Sequence, residues 1–301
     1  MKTYNSACLI STNIIYTEPS VLRAFVLFSP FTHFGTCIVS NANNNSTMKN
    51  GKFDFNKVAK ITLIFWILKI FATTLGEVLG DFFSMSLNIG YTFSLIITLI
   101  FFLVFLIIQL RQDKFHAPIY WLVIIGTTTV GTEISDLMDR TLGTGYTLGS
   151  LILFTALLLT LFLWYRNIGR IKVFPITERR VEIYYWVAIL ISNSLGTAFG
   201  DYLSDDLGLS YLTGAAITAG IIVVVVLLHY LTKINEIFLF WIAFIFTRPF
   251  GATFGDFLTK PIAKGGLNFS RGIASLVTAL LMAVLMYFSQ RSKEKRNISY
   301  A

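Results

Sequence analysis

Residues 65–81 read FWILKIFATTLGEVLGD, and three later stretches repeat this pattern. They are residues 120–136 (YWLVIIGTTTVGTEISD), 185–201 (YWVAILISNSLGTAFGD) and 240–256 (FWIAFIFTRPFGATFGD). Each begins with an aromatic residue and Trp, carries Gly five positions before its end, and ends on a small residue followed by Asp. Matches at identical offsets predict a fourfold internal repeat. The Asp-to-Asp steps of 55, 65 and 55 residues group the repeats into two halves.

The composition predicts an all-α integral membrane protein. Hydrophobic residues make up 55% of the chain and charged residues 13%, whereas a soluble domain has about 25% charged residues. Eight continuous apolar runs reach the roughly 20 residues that a helix needs to span a bilayer, and a β-barrel would show ~10-residue alternating segments instead. The runs are residues 59–82, 89–110, 118–138, 146–165, 181–203, 209–231, 235–257 and 269–289.

Two helices per repeat make the four repeats parallel, so each enters the membrane in the same direction. Basic residues concentrate before the first helix, between repeats and after the last helix, which places both termini in the cytoplasm and the Asp-bearing turns outside. The basic residues on the cytoplasmic side are Lys52, Lys57, Lys60, Arg111, Lys114, Arg166, Arg170, Lys172, Arg179, Arg180, Lys233, Arg291, Lys293, Lys295 and Arg296.

The chain divides into two membrane halves with non-membrane segments around them. Residues 48–165 form half one with repeats 1 and 2, and residues 181–290 form half two with repeats 3 and 4. Residues 166–180 are a cytoplasmic linker and residues 291–301 a basic cytoplasmic tail. Residues 1–47 are either a disordered extension or the product of a mis-called start, because Met48 directly precedes Lys-rich residues and the first helix.

The function classes with recognisable motifs are disfavoured. The net charge of +8 lies in short clusters between apolar runs, so no nucleic-acid binding is expected. Cys8 and Cys37 lack a metal-ligand spacing. The metal and hydrolase motifs H-E-x-x-H and G-x-S-x-G and a Walker loop are absent from the sequence. We therefore expect no enzyme activity and no cofactor.

A polar stripe runs back from each repeated Asp in steps of four residues, which follow one helix face. Ionisable groups within a membrane span usually face a bundle interior or a watery cavity. We expect the four stripes to converge on a central path that binds a cation or a cationic solute, or relays protons. The candidate residues are Lys69, Thr73, Glu77, Asp81, Thr128, Thr132, Asp136, Asn193, Thr197, Asp201, Arg248 and Asp256.

Two alternatives stay open for these residues. Each Asp lies near the predicted outer end of its helix, where it could simply accept hydrogen bonds from backbone amides. Arg248 precedes Pro249, and this kink could form an anion site or place the Arg beside a carboxylate of another repeat. Lys69 and Glu77 lie two turns apart on one face, and Arg248 lies two turns from Asp256, so opposite charges could offset part of the insertion cost. The Trp of each repeat is expected in an interfacial aromatic belt.

Residues 57–81 (KVAKITLIFWILKIFATTLGEVLGD), 196–212 (GTAFGDYLSDDLGLSYL) and 248–256 (RPFGATFGD) resemble a family of uncharacterised multi-pass bacterial membrane proteins described as membrane-anchored. The resemblance covers about residues 57–290. It implies the topology and a bacterial inner (plasma) membrane location, and it brings no activity with it. The string E-x-x-G-D at residues 77–81 is also similar to the E-x-G-D motifs of small cation/proton exchangers, with one residue more between its ends.

The leading hypothesis is a transporter or channel-like protein for a small, cationic solute, or a proton-coupled carrier. The lipid bilayer is the expected partner, and homo-oligomers stay open. The alternative is a non-transporting scaffold or sensor whose repeated Asp residues are structural.

Overall fold

The computed structural model describes residues 56–299, and these residues form eight long helices without a strand. The predicted all-α class and the predicted helix pairs are confirmed. The expectations for residues 1–47 and for Met48 lie outside the described residues. The helices are α1 (Leu63–Asp81), α2 (Gly90–Arg111), α3 (Ala117–Asp136), α4 (Tyr146–Ile168), α5 (Arg179–Asp201), α6 (Tyr211–Leu231), α7 (Glu236–Thr259) and α8 (Arg271–Ser299).

Local sequence signals set several helix ends. Thr62, Ser210 and Asn235 accept hydrogen bonds from backbone amides in the first turns of α1, α6 and α7. Such side chains satisfy amides that have no partner within the helix. Gly169 ends α4 in the left-handed conformation at φ 79°, which glycine adopts without a side-chain penalty. The helix boundaries therefore follow from capping residues as well as from the apolar runs.

The first helix of each repeat belongs to a closed ring. Helix α1 packs against α3, α3 against α5, α5 against α7, and α7 against α1, and we call these four helices the inner ring. The second helices lie outside, each on the inner helix of the next repeat: α2 on α3, α4 on α5, α6 on α7 and α8 on α1. The contact of α8 with α1 closes the circle between the last and first repeats.

The repeated glycines explain how closely the inner helices approach. A Cβ added to Gly76 of α1 would lie 2.1 Å from Oγ1 of Thr128 of α3. The equivalent Cβ of Gly251 in α7 would lie 2.2 Å from Oγ1 of Thr73 in α1. Gly131 and Gly196 meet the next inner helix at the same level. Small residues four apart let helix backbones pack at short distance, which is the arrangement the repeat predicts.

Seven helices are long and apolar enough to cross a membrane, judged by length and composition. The exception is α3, whose three consecutive threonines, Glu133 and Asp136 lower its hydropathy. In the most apolar stretch of α2, α4 and α8 only 22% of the residues are buried, whereas in that of α1 and α7 61% of the residues are buried. The outer helices therefore present a continuous apolar face to their surroundings, while the polar residues lie on the inner ring.

Candidate functional site

The polar stripes of the four inner helices meet on the axis of the ring. Nζ of Lys69 in α1 donates to Oδ1 of Asn193 in α5 at 3.0 Å, across one diagonal of the ring. Arg248 of α7 reaches Thr132 of α3 across the other diagonal. All the stripe residues are at most 3% exposed, and we call this set the axial column. Its members are Lys69, Thr73, Glu77, Asp81, Thr128, Thr132, Asp136, Asn193, Thr197, Asp201, Arg248 and Asp256.

The four aspartates occupy one end of the axial column and do not cap helices. The chain continues past Asp81, Asp136 and Asp201 into one π-helical turn each, and none of the three side chains accepts a capping hydrogen bond there. Helix α7 continues past Asp256 to Thr259. The alternative in which backbone amides hold the aspartates is therefore wrong for the first three repeats.

Basic side chains bridge the aspartates in pairs. Nζ of Lys260 lies 2.9 Å from Oδ2 of Asp81 and 3.1 Å from Oδ1 of Asp256, which joins repeats 1 and 4. Arg140 lies 2.9 Å from Asp136 and 3.6 Å from Asp201, which joins repeats 2 and 3.

Sequence reasoning missed both bridges, although a signal was present. Arg140 and Lys260 each follow their own Asp by four residues, so they lie on the same helix face. Repeats 1 and 3 have Met85 and Asp205 at this position, so the bridging alternates from repeat to repeat.

Arg248 pairs with a carboxylate of another repeat. Its Nη2 donates to Oε2 of Glu77 at 3.0 Å and to Oγ1 of Thr132, and its Nη1 donates to the backbone oxygen of Thr73 at 3.0 Å. Oγ1 of Thr132 lies 3.3 Å from the same Glu77 oxygen. The guanidinium is fully buried, and Pro249 directly follows it within α7. The interpretation of Arg248 as the partner of a carboxylate fits this geometry, and an anion site does not.

Three carboxylates from three repeats converge at this ion pair, and Glu77 is one of them. Glu77, Asp201 and Asp256 each offer an oxygen, and these oxygens lie within 4.8 Å of one another. Oδ2 of Asp201 has no hydrogen-bond partner among the described residues, and Arg140 approaches it only to 3.6 Å. We call Glu77, Asp201 and Asp256 the carboxylate triad. It is a buried group of hard oxygen ligands that could hold a cation.

Lys69 does not pair with Glu77, contrary to the sequence-based expectation. Its Nζ lies 3.9 Å from the centre of the Phe244 ring and donates to Asn193, whose Nδ2 in turn donates to Thr127 at 3.0 Å. A cation over an aromatic face is attracted by the ring quadrupole. Lys69 is thereby held two helix turns from Glu77, farther from the aspartate end of the axial column.

Aromatic side chains close the axial column at the end opposite the aspartates. The first residue of each repeat motif is buried there, and the hydroxyls of Tyr120 and Tyr185 lie 2.7 Å apart. The following Trp residues Trp121, Trp186 and Trp241 are at most 5% exposed, so they pack inside the bundle. The expectation of an exposed aromatic belt is therefore wrong for these three.

A large cavity in the described part of the chain lies away from the axial column. It has a volume of about 1000 Å³ between α4 and α7 and is lined mainly by apolar side chains, among them Phe154, Phe238 and Ile242. Its lining suits hydrocarbon rather than a cation. The axial column is accordingly the better candidate for an ion site.

The repeats also define the family of the chain. A family model described as a repeat of unknown function (DUF347) matches residues 64–115, 119–168, 184–235 and 239–295. Each match begins in one inner helix and continues through the outer helix that follows it. The comparisons with curated proteins and with solved structures gave no match. Since the four matches cover more than half of the chain, the protein belongs to the DUF347 repeat family.

Proposed function

We propose that the protein is an integral membrane protein that binds a small hard cation at the carboxylate triad and carries it across the membrane. The convergence of Glu77, Asp201 and Asp256 is the observation that carries the proposal. Seven long apolar helices and the apolar outer faces support the membrane location. The basic residues between repeats support a cytoplasmic location for both termini, with the triad near the outer side.

The ligand chemistry of the triad favours a hard divalent cation. Carboxylate oxygens suit Mg²⁺, Ca²⁺ and Mn²⁺. Calcium binds oxygens at about 2.3–2.6 Å, so two oxygens on opposite sides of it lie roughly 5 Å apart. The three triad oxygens lie within 4.8 Å of one another, so a single cation of this kind could contact all of them. Oδ2 of Asp201 accepts no hydrogen bond among the described residues and has only the 3.6 Å ion pair with Arg140, so it retains capacity to bind a cation.

The charge balance at the aspartate end also favours a cation. Five carboxylates there are within 4.0 Å of only four basic side chains. Lys69, the remaining cation of the axial column, contacts Asn193 and Phe244 and no carboxylate, so the aspartate end keeps one local excess negative charge, which a bound cation or proton would offset. The carboxylates are Glu77, Asp81, Asp136, Asp201 and Asp256, and the basic groups are Arg140, Arg248, Lys260 and Arg271.

Thermal unfolding in detergent tests the site with a panel of chloride salts of Na⁺, K⁺, Mg²⁺, Ca²⁺ and Mn²⁺. A cation at 100 times its Kd stabilises the folded state by about 2.7 kcal/mol. We expect one of the divalent cations to raise the Tm of the wild type, and Asp201→Asn to lose that rise while still folding. Asp205→Asn is the matched control, because Asp205 is an exposed neighbour outside the triad. Equal rises in the wild type and in Asp201→Asn would refute the site.

A scaffold or sensor without transport is the second candidate. The bridges of Lys260 and Arg140 favour it, because they tie neighbouring repeats together through the aspartates. On this reading no cation changes the Tm, and variants of the aspartates unfold at lower temperature in every salt. The same unfolding series therefore separates the two candidates.

A further inference from the structure

Glu133 is a buried carboxyl group without a cationic partner. It is 0% exposed, and Ser94 of α2 donates to its Oε1 at 2.5 Å. Its Oε2 has no hydrogen-bond partner among the described residues, in which no basic side chain lies within 4.0 Å of Glu133. An ionised carboxylate in this position would be desolvated with a single neutral donor, which is strongly unfavourable.

The repeats show that the fold does not require a carboxyl group here. Glu133 lies three residues before Asp136, and the equivalent residues of the other repeats are Val78, Ala198 and Thr253. In repeat 4 this residue also faces the preceding outer helix, because Thr253 lies 3.1 Å from a Cβ placed on Gly214. Repeat 2 therefore places a carboxyl group where its sister repeats have small or apolar side chains.

The groups that face Glu133 from the packed helices also disfavour its ionised form. Helix α1 contributes the negative charges of Glu77 and Asp81. Gly80 of α1 lies against the carboxyl group of Glu133, because a Cβ added to Gly80 would be 3.5 Å from Oε1 of Glu133. Asp136 follows on α3 itself and adds a further negative charge near Glu133. Helix α2 contributes the neutral hydroxyl of Ser94, and Arg140 and Lys260 are engaged by aspartates.

We propose that Glu133 is a proton-binding site between the inner ring and α2, and that it exchanges its proton through the neighbouring aspartate end. A cation bound at the carboxylate triad would favour release of this proton, because positive charge nearby stabilises the carboxylate. Only this coupling step rests on the proposed function. Proton binding by Glu133 stands on the geometry of its own surroundings.

Dicyclohexylcarbodiimide tests the protonation state of Glu133 directly. The carboxylic acid adds across the carbodiimide, its proton moves to a nitrogen, and rearrangement leaves a stable N-acylurea that tandem mass spectrometry locates. We expect adduct on Glu133 in the purified protein at pH 7 and none in Glu133→Gln. Glu182 is the internal control: it is also 0% exposed, but it forms an ion pair with Lys57 at 2.7 Å, whereas Glu133 has no basic partner. Adduct on Glu182 with none on Glu133 would overturn the proposal.

An infrared measurement covers the outcome in which the reagent fails to reach the site. A difference spectrum of wild type minus Glu133→Gln at pH 7 should show one protonated carboxyl C=O band, and its absence overturns the proposal. For the coupling step, the cation that raises the Tm should slow labelling of Glu133 in the wild type but not in Asp201→Asn. Labelling that no cation changes supports the proton site and overturns the coupling.

Discussion

The ion pair between Glu77 and Arg248 gives a stability prediction that can be worked out from its geometry. The charged atoms lie 3.0 Å apart, and the side chains are 4% and 0% exposed. Coulomb's law with an effective dielectric of about 20 gives roughly 5–6 kcal/mol at this distance. Removing one partner of a buried pair costs about 3–5 kcal/mol, because the other charge is left uncompensated. We therefore expect Arg248→Met to lower the free energy of unfolding by about 3–5 kcal/mol.

The double variant Arg248→Met with Glu77→Gln removes both charges and should recover most of this loss. Its side chains keep similar volumes, and Thr132 still offers a hydrogen bond to the amide. At roughly 2–4 °C per kcal/mol, the single variant should unfold roughly 6–20 °C below the wild type.

Thermal unfolding by circular dichroism at one fixed scan rate measures both variants and Glu77→Gln alone. The double-mutant cycle should give a coupling energy above about 2 kcal/mol. Additive effects of the two substitutions would refute the reasoning, since the charges would then not depend on each other.

Three further predictions concern packing and polar contacts. Gly131→Ala should lower the free energy of unfolding by about 1–3 kcal/mol, because its Cβ would lie 2.9 Å from a backbone nitrogen of α5. Gly220→Ala is the control: its Cβ would meet open space, so its Tm should be equal to that of the wild type or slightly higher. Tyr120→Phe should lower the free energy of unfolding by about 1–3 kcal/mol, because the hydroxyl of Tyr185 loses its hydrogen-bond partner. The double variant Tyr120→Phe with Tyr185→Phe should regain most of this loss, and an equal loss in the single and double variants would contradict the prediction. Lys260→Met should lower the Tm in low salt, because it leaves Asp256 without a basic partner and Asp81 with Arg271 alone, and the stabilising divalent cation should raise the Tm of this variant more than that of the wild type.

The helix count and the repeat followed from the sequence because both depend on local patterns. Apolar runs of spanning length and identical offsets between Trp, Gly and Asp do not require knowledge of neighbours. The ring itself could not be derived in this way. Gly251 signals that another backbone comes close, but not that the partner is Thr73, 178 residues earlier in the chain. That contact depends on packing between the first and last repeats.

The candidate site was predictable in its composition and not in its pairing. The four-residue periodicity showed that the polar side chains of each repeat share a helix face with its Asp, and the structure brings those faces together on the axis. The charges of Lys69 and Glu77 were expected to offset each other along α1, yet Nζ of Lys69 donates to Asn193 across the ring, a contact that depends on how the inner helices pack. Glu133 lies off the repeated stripe, so its importance depends on what α2 places against it.

Flux of the stabilising cation into proteoliposomes tests the central claim most directly. Purified wild type, Asp201→Asn and the control Asp205→Asn are reconstituted at equal density, and entry of the radioactive cation is followed against protein-free vesicles. The account predicts cation entry with the wild type and Asp205→Asn and loss of entry with Asp201→Asn. Entry that persists unchanged in Asp201→Asn, or no entry with the wild type for any cation of the panel, would contradict it.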